Sequence, residues 1–317
     1  GQESSGIGTA TVTGNLSSWT IGESLYVGYG GTGTLNVEAG GLVSSADGFI
    51  GYLSNATGTA TVTGVGSTWT NSGKLSVGDS GIGTLNFETG GVVNSATGWI
   101  GNSAGSTGTA TVTGAGSTWT VSGELTVGSY GTGKLNVKAA GVVINTNVII
   151  GDIAGSTGTA TVNGVGSKWT NTGVLTVGDF GTGTLNVEAG GVVSNTIGYI
   201  GHSAGSTGTV TVTGEGSIWK NSNSVYVGIA GTGTLNIEAG GLVSNFNGLI
   251  GYFVGSTGTA TVTGAGSTWN NNVDLYIGLY GTGTLNVEAG GVVSSNLGYI
   301  GNFVDSTGTV TVTGTDS

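Results

Sequence analysis

Few side chains in this sequence could do chemistry. The 317 residues include a single histidine, His202, and no cysteine or arginine. Catalytic triads and metal centres need particular polar residues assembled at one place, whereas this chain repeats the same threonine, serine, asparagine and glycine residues throughout. We therefore predict a solvent-exposed imidazole at His202, and no catalytic residue, metal ligand or cofactor. Residues at the position of His202 in the other repeats are Tyr52, Asn102, Asp152, Tyr252 and Asn302.

The carboxylates also argue against an enzyme. Polysaccharide lyases and hydrolases built on β-helices use clustered carboxylates to move protons, and this sequence has no Asp-Asp or Asp-x-Asp pair. A row of glutamates at one position of the repeat, interrupted by Lys138, predicts a solubilising edge and not a calcium ladder. Polysaccharide degradation remains a minor alternative. The glutamates of this row are Glu38, Glu88, Glu188, Glu238 and Glu288.

Aromatic residues provide the best candidate for a binding site. When Val27-Gly28 is aligned with Ile50-Gly51, Tyr26 and Phe49 occupy the same outward position on successive units. An exposed apolar patch indicates binding, and aromatic rings can stack on sugars, so a glycan or exopolysaccharide is a possible partner; alternatively, exposed aromatics simply suit strands or are covered by a loop. The stripe continues as Ser76, Trp99, Thr126, Ile149, Thr176 and then the candidate ligand-binding residues Tyr199, Tyr226, Leu249, Tyr276 and Tyr299. Tyr252, Phe253, Tyr280 and Phe303 lie at neighbouring corners.

Tryptophan recurs every 50 residues, beginning at Trp19 and Trp69. This position falls near the one that Val43 occupies in the neighbouring unit, which favours an indole wedged at a corner of the core. The alternative is an exposed platform for sugar rings.

Outward threonines resemble the Thr-x-Thr arrays of β-solenoid ice-binding proteins. They include Thr59, Thr61 and Thr63, but every second unit places Asn36 and Glu38 at the last two of these positions. This alternation breaks a uniform methyl and hydroxyl lattice, so ice binding is a minor alternative.

All these residues recur because the chain is built on a repeat of about 50 residues without insertion or deletion. Such a strict period indicates a solenoid. Each half-repeat of about 25 residues has three strand-like runs, for example Leu25–Val27, Thr34–Val37 and Leu42–Ser44, separated by glycine-rich corners. We predict an all-β fold, a parallel β-helix (β-solenoid) with about 25 residues and three short strands per rung, and a rod on the order of 60 Å long. Residues 1–317 are predicted to form a single elongated domain of six repeats, 1–50, 51–100, 101–150, 151–200, 201–250 and 251–300, with a partial repeat 301–317.

Composition supports this architecture and restricts the partners. The 70 glycines recur at fixed positions, as corners require, and the absence of proline leaves every backbone N–H free for pairing. A net charge of −11 with no basic patch argues against nucleic acid as a partner. The sequence has no run of eighteen apolar residues, so we predict no membrane insertion by this segment. Because the chain has no methionine and neither end resembles a polar cap, we expect an excised segment that can self-associate end to end.

Two motifs resemble a known family. They are Val-Gly-x-x-Gly-Thr-Gly-Thr-Leu-Asn-Val-Glu-Ala-Gly-Gly-x-Val at 177–193 and Ile-Gly-x-x-x-Gly-Ser-Thr-Gly-Thr-Ala-Thr-Val-Thr-Gly-x-Gly-Ser-x-Trp at 100–119. These motifs are similar to the repeats of proteins associated with type V secretion and PEP-CTERM sorting, over essentially the whole chain. The resemblance implies an autotransporter-like passenger, extracellular or on the bacterial cell surface. It carries over no catalytic or ligand-binding residue.

The sequence therefore favours a non-enzymatic extracellular rod, the shaft of a bacterial surface adhesin or of a matrix or filament protein. A glycan-binding adhesin module that uses the aromatic stripe is the alternative.

Overall fold

The computed structural model describes residues 1–317, which form 37 strands in three parallel sheets and no helix. Successive strands along the chain belong to the first, second and third sheet in turn, so each rung contributes one strand to every sheet. This is the predicted β-solenoid, with about 12 turns and about 25 residues per turn. Because the chain has no long apolar helix, no helical segment could cross a membrane.

The strands are numbered β1 to β37 along the chain. The first sheet contains β1 (Ile7–Thr13), β4 (Thr32–Glu38), β7 (Thr57–Thr63), β10 (Ile82–Glu88), β13 (Thr107–Thr113), β16 (Thr132–Lys138), β19 (Thr157–Asn163), β22 (Thr182–Glu188), β25 (Thr207–Thr213), β28 (Thr232–Glu238), β31 (Thr257–Thr263), β34 (Thr282–Glu288) and β37 (Thr307–Thr313). The second contains β2 (Ser18–Thr20), β5 (Leu42–Ser45), β8 (Thr68–Asn71), β11 (Val92–Ser95), β14 (Thr118–Val121), β17 (Val142–Asn145), β20 (Lys168–Asn171), β23 (Val192–Asn195), β26 (Ile218–Asn221), β29 (Leu242–Asn245), β32 (Thr268–Asn271) and β35 (Val292–Ser294). The third contains β3 (Leu25–Val27), β6 (Gly48–Ile50), β9 (Lys74–Val77), β12 (Thr97–Ile100), β15 (Leu125–Val127), β18 (Val148–Ile150), β21 (Val174–Val177), β24 (Ile197–Ile200), β27 (Val225–Val227), β30 (Gly248–Ile250), β33 (Asp274–Ile277) and β36 (Leu297–Ile300).

The strands of the first sheet are longer than the sequence predicts. In β4 the strand starts at Thr32 and includes Gly33, which pairs with Gly58 of the next rung. A Cβ atom on Gly33 would collide with the backbone of Gly28, so glycine is here a strand residue that lets the preceding corner approach closely. Gly28 itself has a φ of 76°, which glycine adopts without steric cost. Glycine therefore serves two purposes here: a positive φ at the corner and a close approach between corner and strand.

The core follows from period-two alternation. Leu35 and Val37 point inward and are buried, whereas the intervening Asn36 is partly exposed, as a pleated strand requires. One hydrophobic cluster of 51 buried residues extends along the rod from Leu25 to Val287. Each rung thus covers the apolar face of the next.

Tryptophan is part of this core. Trp69 pairs with Val43 of the preceding rung, as predicted, and five of the six repeated indoles are fully buried. Trp19, in the first rung, is 39% exposed. The prediction of a buried indole is therefore correct, although Trp69 lies within strand β8 and not at a corner, and the buried indoles cannot serve as a sugar platform.

An internal polar column accompanies the indoles. Trp219 Nε1 donates to Asn195 Oδ1 at 2.7 Å, and Asn195 Nδ2 donates to Asn221 Oδ1 at 2.6 Å. The equivalent bond of Trp69 runs to Ser45 Oγ at 3.3 Å. These bonds join adjacent rungs inside the core, where an unpaired polar group would be costly.

Candidate ligand-binding surface

The aromatic stripe has the predicted register. Tyr26 pairs with Phe49, which pairs with Ser76, and the pairing continues without a break to Tyr276 and Tyr299. All twelve residues of the stripe therefore lie in one outward column of the third sheet. The alignment of Val27-Gly28 with Ile50-Gly51 was sufficient to predict this column because it follows the alternation of 23 and 27 residues between successive stripe positions, as from Tyr26 to Phe49 and from Phe49 to Ser76.

The C-terminal part of the stripe is less exposed than an open platform. Tyr199, Tyr226, Tyr276 and Tyr299 are only partly exposed, and Leu249 has 7% of its surface accessible. The five candidate residues are adjacent on successive strands, but they do not form one continuous exposed ladder. Leu249 interrupts it.

Corner residues account for part of this cover. The corner column consists of the residues that follow each Val-Gly or Ile-Gly corner, and its backbone hydrogen bonds pass from rung to rung, for example from the N–H of Tyr252 to the carbonyl of Gly228. Tyr252 lies with its ring 5.2 Å from Tyr226 in an edge contact, and Phe253 packs on Tyr252 at 4.5 Å. Tyr226 is thus bounded on one side by the corner, and burial, followed by the neighbouring tyrosines, raises the pKa of its hydroxyl.

The last rungs present two flat aromatic pairs. Tyr276 and Tyr299 stack with centroids 4.7 Å apart and planes 5° from parallel. Tyr280 and Phe303 stack at 4.3 Å and 6°. The Tyr276 hydroxyl donates to Asp274 Oδ2 at 3.0 Å. The orientation of the Tyr276 ring is therefore fixed by this hydrogen bond and by stacking on Tyr299. These pairs offer apolar ring faces beside carboxylate and hydroxyl groups, which is the chemistry that binds sugars.

A second aromatic cluster lies at the N-terminal end and was not predicted. Tyr26, Tyr29, Phe49 and Tyr52 surround one another with centroid distances of 4.8 to 5.1 Å. Tyr26 and Tyr29 are 39% and 36% exposed, whereas Phe49 is buried beneath them. The signal in the sequence was the three-residue spacing from the stripe to the corner column, which repeats as Tyr26 to Tyr29 and Phe49 to Tyr52.

In the middle of the same face the corner column is polar, with Asp152, Asp179 and His202. Asp179 Oδ1 lies 2.6 Å from His202 Nδ1, so the imidazole has a carboxylate partner and is not simply solvated as expected. Tyr199 stacks on the His202 ring at 5.1 Å. His202 and Asp179 are 23 residues apart in sequence, and only the rung length brings them together.

The carboxyl groups of two acids in this region have a raised pKa. Burial, followed by the charge of Asp179, raises the pKa of Asp152, while a hydrogen bond from Ser129 opposes the shift. Burial, followed by the charge of Asp152, raises the pKa of Glu124. No three of the acids and His202 are placed to hold a metal ion together. Ser129 Oγ donates to Asp152 Oδ2 at 3.1 Å, which is a further hydrogen-bonded pair between rungs.

The remaining outward rows are as predicted in position. Glu88 and Glu188 lie at the end of first-sheet strands opposite threonine or asparagine, with Lys138 interrupting the row. Asn163 Nδ2 donates to Glu188 Oε2 at 3.0 Å. Glu88 and Lys138 are exposed and the other glutamates of this row are partly exposed, so the row is a polar edge that reaches solvent.

No family model and no curated protein matches the chain. A solved structure does: the crystal structure of the TibA fragment 55–350, whose hyper-glycosylation is catalysed by TibC. It aligns with a TM-score of 0.54 over 99% of this chain and 97% of that chain, at 19% sequence identity. At this identity the similarity extends to the fold: the chain shares its solenoid architecture with the TibA fragment.

Proposed function

We propose that this chain is a non-enzymatic structural rod, the shaft of a bacterial surface adhesin or of a matrix or filament protein, folded as one elongated domain outside the cell. The observation that carries the proposal is the continuity of the three sheets, which run through 13, 12 and 12 strands without interruption. Contacts pass only between neighbouring rungs, so length is set by the number of repeats. The resemblance of the repeats to surface-exported bacterial proteins supports the location.

A rod of this construction suits a load along its axis. The hydrogen bonds between strands run along the axis because each strand pairs with the rung above and the rung below. The buried indoles and asparagines add side-chain bonds in the same direction. A spacer that holds another part of an assembly away from a surface needs this combination of length and stiffness.

Deleting one complete repeat tests the rod directly. Removal of residues 151–200 should leave a folded protein that is shorter by two rungs, or about 10 Å, because the residues on either side of the deletion are equivalent in the repeat. Small-angle scattering measures the length, and circular dichroism confirms the strand content. Global unfolding of this variant would contradict the proposal, whereas removal of 12 residues, which brings different sheets into register, should unfold the surrounding rungs.

End-to-end association stays a prediction of the same proposal. In the 317-residue chain, the last rungs expose inward-type residues, with Ile300 at 58% and Val312 at 57%. Apolar surface of this kind favours association. Electron micrographs at increasing protein concentration should show particles at multiples of the single rod length; uniform single rods would exclude association for this segment.

A glycan-binding adhesin module is the second candidate. The stacked pair of Tyr276 and Tyr299, together with Asp274, supports it because it combines flat apolar rings with hydrogen-bonding groups. The partner would be a glycan or exopolysaccharide that lies along the C-terminal part of the stripe. The TibA fragment, which shares the fold, is itself hyper-glycosylated, so glycans and this architecture occur together in that protein.

Paired alanine substitutions test the glycan site. Y226A/Y276A should lower binding of the rod to a glycan array at least tenfold, because each replaced ring would contribute about 1 kcal/mol of stacking. Y130A is the matched control, since Tyr130 is 55% exposed and lies outside the stripe. Binding that survives Y226A/Y276A would exclude the C-terminal stripe, and binding lost instead in Y26A would assign the site to the N-terminal cluster.

A further inference from the structure

The outer face of the first sheet carries two adjacent columns of threonine. Each strand of this sheet begins with Thr-Gly-Thr in seven consecutive rungs, from β19 to β37, and the glycine points inward between the two threonines. The first column contains Thr157, Thr182, Thr207, Thr232, Thr257, Thr282 and Thr307. The second column contains Thr159, Thr184, Thr209, Thr234, Thr259, Thr284 and Thr309.

The alternation predicted from the sequence in the outward threonines lies in columns other than these two. The alternation of Thr61 with Asn36, and of Thr63 with Glu38, occupies the third and fourth outward positions of the strands. The first two positions remain threonine in every rung of the seven-rung block. In the N-terminal half, Ile82 interrupts the first column and Lys134 the second.

The register makes these columns a two-dimensional lattice. Thr157 pairs directly with Thr182, and Thr159 with Thr184, and the same register continues to β37. Rungs lie about 4.8 Å apart, and alternate residues of a strand about 6.7 Å apart. The seven-rung block therefore presents fourteen threonines over about 29 Å along the rod.

The threonines are available and oriented alike. The first column is exposed along the whole block, and the second is partly exposed up to Thr284 and exposed at Thr309. A β-branched side chain in a strand has few χ1 conformations, so hydroxyl and methyl groups repeat at fixed positions. Hydrogen bonds between outward side chains of this sheet involve the third and fourth columns, as between Asn136 Nδ2 and Thr111 Oγ1 at 3.3 Å.

We propose that this threonine lattice binds the surface of ice. A rigid array with two fixed repeat distances complements a ligand that is itself periodic in two directions, and the oxygen lattice of ice repeats at comparable distances. The two columns carry no charge within the block, which fits an uncharged water lattice and gives a charged polymer no counter-ion. They also contain no aromatic ring, so they lack the stacking face that a glycan requires.

The area and rigidity of the block are sufficient for cooperative binding. Each threonine makes a weak contact with water, but fourteen contacts on one rigid sheet form together without an ordering cost for each. Methyl groups order the adjacent water while hydroxyls bond to it. This activity is separate from the rod function, because it depends on the outward residues of one sheet and not on the core or the ends.

Lysine substitutions within the lattice test the proposal. T209K/T234K places two long charged side chains at its centre, and Lys134 shows that this column accepts lysine with its register intact. T268K is the matched control, because Thr268 faces outward on the second sheet and Lys168 occupies the same position two repeats earlier. T209N/T234N is a second variant, since asparagine already stands in the third column of the same sheet.

The measurements are thermal hysteresis and partitioning of the fluorescently labelled 317-residue protein into growing ice. The unmodified rod and T268K should enter ice and shape the crystals, while T209K/T234K and T209N/T234N should lose at least 90% of the incorporation with unchanged circular dichroism. Exclusion of the unmodified rod from ice to the same extent as serum albumin would overturn the proposal. Equal losses in T268K and T209K/T234K would also overturn it, since the effect would not depend on the lattice.

Discussion

Replacing Trp219 with alanine should destabilise the rungs around it by about 3 to 5 kcal/mol. The indole is fully buried and lies between Val193 and Val243 of the adjacent rungs. Its removal would leave a large cavity in the core. It would also leave Asn195 Oδ1 without the donor that now lies at 2.7 Å, and an unpaired buried acceptor costs a further 1 to 3 kcal/mol or so.

The same substitution at Trp19 is the control. Trp19 occupies the same position of the repeat but has a rung on one side only, and it is 39% exposed. W19A should therefore cost much less than W219A. Urea denaturation followed by fluorescence and by hydrogen exchange measures both, the latter because stability in repeat proteins is distributed among neighbouring units. Equal effects of the two substitutions would show that burial of the indole does not stabilise the rod.

Phenylalanine at position 219 separates packing from hydrogen bonding. W219F retains most of the apolar volume but cannot donate to Asn195, so the expected loss is smaller, about 1 to 3 kcal/mol. If W219F were as damaging as W219A, the hydrogen bond and not the cavity would be the main contribution of the indole.

The tryptophan position also shows what the sequence could decide about the fold. Strict periodicity predicted the rung, the three strands and the inward position of Leu35 and Val37, because alternation fixes which side chains face the core. It left Trp69 open, since a 50-residue period is the same for an inward and an outward residue. The complete burial of Trp69 beside Val43 decides it.

The candidate surface was predicted in register but not in burial. Tyr199, Tyr226 and their neighbours align because strand pairing repeats, which the sequence encodes. The cover on Tyr226 comes from Tyr252, a corner residue of the next rung, and corner side chains follow no alternation rule. Asp179 and His202 are also corner residues, on adjacent rungs, so their pairing could not be predicted from strand alternation either.

The first and second threonine columns of the first sheet were also only partly predictable from the sequence. Thr59, Thr61 and Thr63 alternate with Thr34, Asn36 and Glu38, and the sequence predicts strands from this part of each rung. The strands begin two residues earlier than the predicted runs, at Thr32 and Thr57. Because glycine is typical of corners, the sequence predicts no strand at Thr32 and Thr57, which precede Gly33 and Gly58. Because glycine lies inside these strands, the sequence did not predict the threonine lattice of the first sheet.

Gly208 provides the second large effect, since its substitution by alanine should unfold or severely disorder the adjacent rungs. An added Cβ would collide with the carbonyl oxygen of Val177 and the amide nitrogen of Gly201, and would lie 2.9 Å from Cγ2 of Ile200. Two of these three obstacles are backbone atoms of the ladder, which cannot rotate away. Overpacking usually costs about 1 to 3 kcal/mol because side chains adjust, so we expect a cost at or above about 3 kcal/mol here.

Gly22 supplies the comparison that makes this prediction specific. A Cβ on Gly22 would meet nothing within 4 Å, so G22A should be neutral or should stabilise the protein by about 0.5 kcal/mol through the unfolded state. Urea midpoints and proteolysis of the two variants measure the difference. A G208A protein as stable as G22A would mean that the corner backbone can move away from the strand. The inward glycines would then not be required by packing, and the close approach of corner to strand would not be what fixes the length of the rung.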